Sequence, residues 1–589
     1  MNKTVLVFLL SILLSFGLFG NGIGGDFVFD DASVVENRGD LKDPSGFFDL
    51  FVSPYHQNNP KSGLYRPLTM ASYALNHYIS GSPAGFHAVN IAIHAVNSFL
   101  VFWLVQFLFR KQLISYAVFF LFLAHPVHTE AVTSIVGRAE LLAFFWSMAA
   151  IYFFLNKKLV ASGVAFFLGL LSKEIAVAVL PLLLYLDVAV LKSHSIFNSF
   201  RRLGRYLIPL AAYALLRYKA LGSYFLADTA TTFVENPLKF APQTEQIATA
   251  LSVLTMYMKK LIMPLGLSAD YSYNSIPLVG FESPAAMIGL AILVFLIILI
   301  FYNRVQKEWA FAATVFAVPY LLISNLIKPI GTIMGERLMY FPSFGLVLAA
   351  AFGLNILAEK GRLFKRISYG ILAGILILYG AGTFVRNRDW SDNRILFSAA
   401  AEESPNSVIV RTALAGVHIE TGEWGEAKKE LGIAQDIYED YSRLQNLLGI
   451  VADHEGNYPL AEEKYKKSLE LNPDAVNPHL NLTELYLKQQ RYLEAGNHML
   501  QVIEFYPAAE YVVRYGYIQI TVGQARAAIE TAERHYGADS DHPDLNAMLG
   551  TAYFVQRDYG SALVYLKKAR LLGKNNPEIA QMIQIAEQH

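Results

Sequence analysis

The segment IATALSVLTMYMKKLIMPLGL, residues 247 to 267, decides how the chain is threaded. Counted as a membrane crossing, it reverses the side of every later loop. Lys259 and Lys260 would then lie in the bilayer, at about 3 kcal/mol each near its centre. Its apolar residues Ile247, Leu251, Leu254, Met258 and Leu261 instead recur at four- and three-residue steps. That spacing predicts a helix with one apolar face, lying in the membrane interface or re-entering from it. It does not cross.

Around this segment the sequence is a series of apolar runs, at 4–20, 87–109, 113–124, 141–155, 159–171, 175–191, 206–221, 285–302, 309–326, 337–357 and 367–385. Some are shorter than the ~20 residues of a straight crossing, which predicts tilted or partly buried helices. Over 589 residues the composition is 54% hydrophobic and 16% charged, with a mean hydropathy of +0.35, as expected of an integral membrane protein. Basic residues concentrate in alternate loops: Lys3, Arg110–Lys111, Lys157–Lys158, Lys192 with Arg201, Arg202 and Arg205, Arg304 with Lys307, and Lys360 with Arg362, Lys365 and Arg366. Only Glu308 and Glu359 oppose them there. The positive-inside rule assigns these loops to the cytoplasm. Eleven crossings follow, with the N-terminus inside and the C-terminal region outside. The first run predicts a signal anchor more readily than a cleaved signal, because LFGNG is a poor small-x-small site. A net charge of zero gives no bulk argument for nucleic acid. The chain has no cysteine, which excludes disulfides and thiolate metal sites and suits a bacterial periplasm.

From residue 405 the sequence becomes periodic. Ala427, Ala461, Ala495, Ala528 and Ala562 are spaced by 34, 34, 33 and 34 residues, and Trp424, Tyr458, Tyr492 and Tyr559 keep the register. The stretch LLGIVADHEGNYPLAEEKYKKSLELNPD, 447 to 474, shows the whole unit. This is the tetratricopeptide period, a two-helix unit in which small residues allow close helix approach. Five units are expected, forming an α-solenoid with a concave surface for a peptide or protein. A rigid cap that binds nothing is the plainer alternative. Three regions result: 1–385 in the membrane, a linker at 386–404, and repeats at 405–589.

On the outer side the expected topology gathers ionisable residues at helix ends, where charge beside apolar spans is a functional signal. Asp30 and Asp31 follow the first run. Arg66 stands in YRPLT, His125, His128 and Glu130 in HPVHTE, Arg138 and Glu140 in GRAELL, and Lys173 and Glu174 in LLSKE. Asp270 in SADYSY, with Glu336 and Arg337 in GERLMY, completes the set. His125 and His128 are three apart beside Glu130, a spacing seen in metal ligands, but Pro126 disrupts the helix that would align the rings. Packing is their plainer use. GNGIGGDF is no dinucleotide fingerprint, since no strand precedes it.

FVFDDASVVENRGDL, YRPLTMASYALNHYISGSPAGFHAVNIAIHAVNSFLV, AHPVHTEAVTSIVGRAELLAFFW, LLSKEIAVAVLPLLLYLD, PLGLSADYSY and GERLMYFPSFG together resemble successive motifs of the TMTC family. That family comprises transmembrane and tetratricopeptide-repeat O-mannosyltransferases of the GT-C type. The likeness runs in order over about 26 to 346; a short repeat array and the absence of cysteine mark a bacterial relative. The resemblance implies an all-α fold, a polytopic GT-C helix bundle followed by the α-solenoid. It implies an inverting glycosyltransferase (EC 2.4.1 class) moving a sugar, mannose first, from a polyprenyl-phosphate donor to an acceptor hydroxyl of protein Ser or Thr.

Such a transfer needs a carboxylate base for the acceptor, cations for the leaving phosphate and a slot for the isoprenoid. Asp31, with Asp30 beside it, is the expected catalytic pair. Arg337 and Lys173, then Arg138 and Arg66, are the expected phosphate ligands. Glu130, Glu140, Glu174 and Glu336 would orient those cations or bind sugar hydroxyls, and Asp270, His125 and His128 complete the substrate site. No resident cofactor or metal is assigned; a divalent ion beside Asp30 and Asp31 is the open alternative. The partners implied are the lipid-linked sugar, membrane lipid and an acceptor protein held by the repeats, at the periplasmic face of a bacterial inner membrane (or the lumenal face of the endoplasmic reticulum). The alternative is a non-catalytic, membrane-anchored tetratricopeptide scaffold.

Overall fold

A computed structural model describes residues 3–56, 60–190, 195–226, 231–301, 307–537, 540–574 and 576–589. Lys192 and Arg304 of the charge count lie outside the described residues. Contacts divide the chain into two compact units, 1–414 and 415–589, and the division falls inside the helix Val408–Glu420. Both units are helical, and the described residues contain no β-strand.

The helices of the first unit are α1 (Lys3–Phe19), α2 (Pro67–Ile79), α3 (Pro83–Phe109), α4 (Gln112–Ala124), α5 (Thr129–Val132), α6 (Arg138–Leu155), α7 (Leu159–Ser172), α8 (Val179–Tyr185), α9 (Ile196–Leu203), α10 (Leu207–Leu221), α11 (Gln243–Ile262), α12 (Pro284–Phe301), α13 (Lys307–Ile323), α14 (Tyr340–Glu359), α15 (Arg362–Asp389) and α16 (Asn393–Glu403). Six helical segments among the described residues are long and apolar enough to span a bilayer, which makes this an integral membrane protein. The pair α4 and Pro126–Val132 is long and apolar enough only when taken together, as one broken span or a re-entrant loop, and is bent by 49° at Pro126, whose ring cannot continue the helix. The other four expected spans map onto α7, α8, α10 and α13, helices of 14, 7, 15 and 17 residues. By length alone these do not qualify as straight crossings. Helices meet closely where side chains are small. A Cβ on Gly345 of α14 would sit 2.4 Å from the Phe316 amide nitrogen of α13.

α11 departs from the one-faced helix expected of 247–267. Ala248 to Leu254 are all buried, so its middle turns are enclosed by protein. Lys259 and Lys260 occupy its last turn, not its middle. There the Lys260 ammonium donates to the Gly266 carbonyl and lies 5.1 Å from the Tyr271 ring centroid. Cations suit that end of a helix, where carbonyls are unpaired.

The second unit continues the repeat. Helix pairs run from Val408–Glu420 with Trp424–Ile437 through Ser442–His454 with Tyr458–Leu471, Val476–Lys488 with Tyr492–Phe505, Ala509–Thr521 with Ala525–Tyr536, and Pro543–Val555 with Tyr559–Leu571. A helix at Pro577–Ala586 follows. The five periodic alanines are completely buried, as the sequence pattern requires. Gly449 shows why small residues recur, because a Cβ there would lie 2.5 Å from the Tyr465 ring.

Candidate active site

The residues that converge come from the α1–α2 loop, α5, the starts of α2 and α6, the α7–α8 junction and the turn before α14. At the centre is Arg337, in the turn Glu336–Met339. Its Nη1 and Nη2 both donate to Asp30 Oδ2 at 3.3 Å. Its Nε lies 3.4 Å from Glu130 Oε1, and its backbone amide donates to Glu130 Oε2 at 2.8 Å. Glu130 therefore fixes both the backbone and the head group of Arg337. Asp30 stays accessible, with 39% of its side chain exposed.

Asp31 behaves differently. It has no exposed surface, and its carboxylate accepts from the amides of Val136 at 2.9 Å, Val28 at 3.3 Å and Ile135 at 3.4 Å. Burial pushes its carboxyl up to about 7, against the pull of those three amides. The two aspartates thus face apart: one closes the Ile135–Gly137 turn, the other meets Arg337.

A second group lies within electrostatic reach of the first, since Arg337 interacts with Glu140 as well as with Asp30 and Glu130. Lys173 is ion-paired to Glu140; burial holds its ammonium below the lysine range, and Glu140 pulls it partway back. Arg66 Nε and Nη2 each lie 3.2 Å from Glu174 Oε2, and the guanidinium stacks 5.1 Å from the Tyr55 ring centroid. Arg217 of α10 approaches Glu174 Oε1 at 3.6 Å and donates to the Gly63 carbonyl at 2.7 Å. Burial would raise the Glu174 carboxyl, but Arg66 and Arg217 bring it below the usual range. Two arginines thus close on the one Glu174 carboxylate, through planar donors whose geometry suits planar or tetrahedral anions in general.

Several expected residues are held elsewhere. Arg138 is fully buried, with Nε donating to Asn90 Oδ1 at 2.8 Å, Nη2 to Asn76 Oδ1 and the Phe86 carbonyl at 2.9 Å, and Nη1 to the Ser72 carbonyl at 3.2 Å. Its donors are spent on α2 and α3, so it presents nothing to a phosphate. His125 Nε2 pairs with the Leu261 carbonyl at 3.0 Å and its Nδ1 accepts from the Val127 amide. His128 Nε2 pairs with Ser343 Oγ at 2.8 Å. Asp270 Oδ2 accepts from the Ser272 amide at 2.9 Å and from Ser407 Oγ at 2.8 Å, which fastens the 268–272 loop to the segment after α16. Glu336 is buried, accepting from the Ser268 amide at 2.8 Å and from the Tyr271 hydroxyl. Among the described residues no group of three or more His, Asp or Glu side chains is arranged to hold a metal ion.

The structure adds residues that sequence inspection passed over. Tyr55 lies beneath Arg66 and within electrostatic reach of Arg337, Asp30 and Asp31, and His56 is within electrostatic reach of Asp30 and Arg66. Arg386, near the end of α15, faces Glu336 and Lys260 and donates to Asp389 at 2.9 Å. Among the described residues its Nε and Nη2 have no hydrogen-bond partner, nor does Glu336 Oε2. Arg217 carried a usable signal, as a cation inside the apolar run 206–221.

Fold and site together define a polytopic membrane protein with a cluster of ionisable side chains at helix ends and a tetratricopeptide array. The chain is 25% identical over 611 residues to human protein O-mannosyl-transferase TMTC3, which covers 95% of this chain and 61% of that protein. It is 28% identical over 453 residues to mouse protein O-mannosyl-transferase TMTC4, covering 66% and 60%, and 24% identical to Drosophila melanogaster Tmtc3, covering 87% and 60%. The chain is thus a relative of the TMTC proteins, as its motifs imply, and spans about three fifths of the length of these curated relatives. No family model matches. Solved structures with some likeness include the tetratricopeptide protein YrrB, at 18% identity and a TM-score of 0.28 over 33% of this chain and 98% of that one. Scores this low carry no argument.

Proposed function

We propose that the chain is a membrane glycosyltransferase that moves a sugar, mannose first, from a polyprenyl-phosphate donor to a Ser or Thr hydroxyl of an acceptor protein. The observation that carries this reading is the Asp30–Arg337–Glu130 arrangement: an accessible carboxylate held against a cation whose other side is anchored. The names of the relatives support the sugar and the acceptor class.

Asp30, not Asp31, is the base in this reading. A donor phosphate arriving in the cleft competes for Arg337 and releases Asp30. The acceptor oxygen attacks the anomeric carbon while its proton passes to Asp30, and the bond from that carbon to the phosphate oxygen breaks. Polyprenyl phosphate leaves as an anion, held by Arg337 with Lys173, Arg66 and Arg217, and attack opposite the leaving group inverts the anomeric centre. Asp31 positions Asp30 by fixing the chain to the Ile135–Gly137 turn. The cleft lies on the non-cytoplasmic side, and the repeats hold the acceptor.

Asp31 is spent on three amides and turned from Asp30, so the pair does not form a two-carboxylate seat for a divalent ion. Transfer is expected to persist in a chelator. The test is incubation of the purified chain with labelled polyprenyl-phosphate mannose and an acceptor-containing extract, with mass spectrometry of the product. Asp30→Asn should lose transfer while remaining folded; unchanged transfer rejects the assignment.

A further inference from the structure

The end of the bundle away from Arg337 carries a second group of charged side chains, in which the one acid, Asp187, is buried against Arg202 and the exposed members are basic. On α6, Glu140 belongs to the cleft, whereas Lys157 and Lys158 lie just past the other end, about 25 Å away at 1.5 Å per residue. α9 and the turn after it bring Arg201, Arg202 and Arg205 to the same end. Arg202 is turned inward: its Nη1 lies 2.9 Å from Asp187 Oδ1, and its guanidinium is 4.3 Å from the Phe154 ring centroid. Ser199 Oγ donates to Asp187 Oδ2 at 2.8 Å, and the Tyr206 hydroxyl meets Ser162 Oγ at 2.5 Å. These contacts fasten α9 to α6, α7 and the segment after α8.

The outward face of α9 is left bare. Phe197 is 75% and Phe200 57% exposed, with exposed Arg201 beside them. Beyond Arg205 the apolar surface continues along α10 through Leu207, Ile208 and Leu215, all well exposed. Lys157, Lys158, Arg201 and Arg205 are exposed, and none forms an ion pair among the described residues. These four cations lie beside two exposed aromatic side chains that a non-aqueous phase would cover.

We propose that this end of the bundle is a binding surface for anionic phospholipid. Lys157, Lys158, Arg201 and Arg205 hold the headgroup phosphodiesters, and Phe197, Phe200 and Ile208 enter the acyl region. Charge complementarity selects an anionic headgroup over a zwitterionic one. The bare phenylalanines select a lipid over a soluble anion, and their continuity with the apolar stripe of α10 places them at the rim of a bilayer. The cluster is remote from the cleft and independent of the transfer reaction.

The test uses the full chain reconstituted with equal phosphatidylglycerol and phosphatidylcholine, then extracted in mild detergent and examined by native mass spectrometry for retained lipid. Wild type should retain phosphatidylglycerol in excess. The double variant Arg201→Gln/Arg205→Gln should lose that excess by about tenfold or more, and Lys157→Gln/Lys158→Gln by less. Phe197→Ser/Phe200→Ser should weaken retention of both lipids, and its thermal midpoint should match wild type because both side chains are exposed. Equal retention of the two lipids by wild type overturns the proposal, as does a charge variant that still prefers phosphatidylglycerol. Displacement of phosphatidylglycerol by inorganic phosphate would also overturn it, identifying a soluble-anion site instead.

Discussion

The ion pairs around Arg337 in the first unit differ in burial from those of the second. Around Arg337 in the first, ion pairs join residues far apart in sequence and lie at least partly out of water: Arg337 with Asp30 and Glu130, Lys173 with Glu140, Arg66 with Glu174. In the second, many are local and exposed, such as Arg526 with Glu530 at i,i+4, or Lys429 with Glu426 at i,i+3. A buried pair such as Lys173 with Glu140, left with one partner, costs about 3–5 kcal/mol, whereas an exposed pair is worth about 0.2–1 kcal/mol. Charges in the cleft therefore carry geometry, and those on the repeats mostly carry solubility.

The largest break in that comparison should come from Asp30→Asn, with transfer falling about 10²–10⁴-fold in kcat, the range of a general base. Membrane insertion should not change, and the unfolding midpoint should fall only slightly, because Asp30 is 39% exposed and Glu130 still pairs with Arg337. Arg337→Gln comes next, at about 10²–10³-fold, the usual loss for one preorganised donor on developing charge. Arg337→Lys should recover only part, since a lysine cannot bridge Asp30 and Glu130 with separate nitrogens. Both are read by steady-state kinetics in reconstituted membranes.

Asp31 gives a smaller effect with a different signature. Its carboxyl titrates near 4 in the unfolded chain and near 7 when folded, so the folded state favours the protonated form. The stability linked to that proton is fully present below about pH 4 and is lost as pH rises to about 7. Asp31→Asn should flatten this slope in thermal-unfolding midpoints measured between those limits. Its catalytic loss should stay well below that of Asp30→Asn. Asp31→Ala leaves three amides unpaired and should destabilise by about 1–3 kcal/mol. At the far end of the scale, Arg526→Ala should cost less than about 1 kcal/mol, visible at most as a small shift in the midpoint of the repeats.

These differences explain what could be read from the chain alone. The repeats were legible because each unit restates the same packing demand every 34 residues, and a buried alanine leaves the same mark each time. The helical membrane region was legible from apolar runs, though four runs became helices too short to qualify as straight spans. The cleft was legible as a set of ionisable residues beside apolar segments, yet their partners were not. Arg138 and Arg337 look alike in sequence, but one spends its donors on α2 and α3 while the other meets Asp30. Adjacent aspartates in a loop carry no sign of which turns inward; here the amides of Val28, Ile135 and Val136 decide it. Arg386 lies at the edge of the last apolar run, where a basic residue ordinarily marks the membrane surface, so its approach to Glu336 left no local trace. Tyr55 and His56 sit in a loop with no period at all.

The account rests on Asp30 being the working carboxylate of the pair. Side-by-side turnover of Asp30→Asn and Asp31→Asn with labelled polyprenyl-phosphate mannose, on reconstituted and folded protein, addresses that directly. Loss of transfer in the first with substantial turnover in the second is the predicted result. Transfer that survives in Asp30→Asn and vanishes in Asp31→Asn would contradict it.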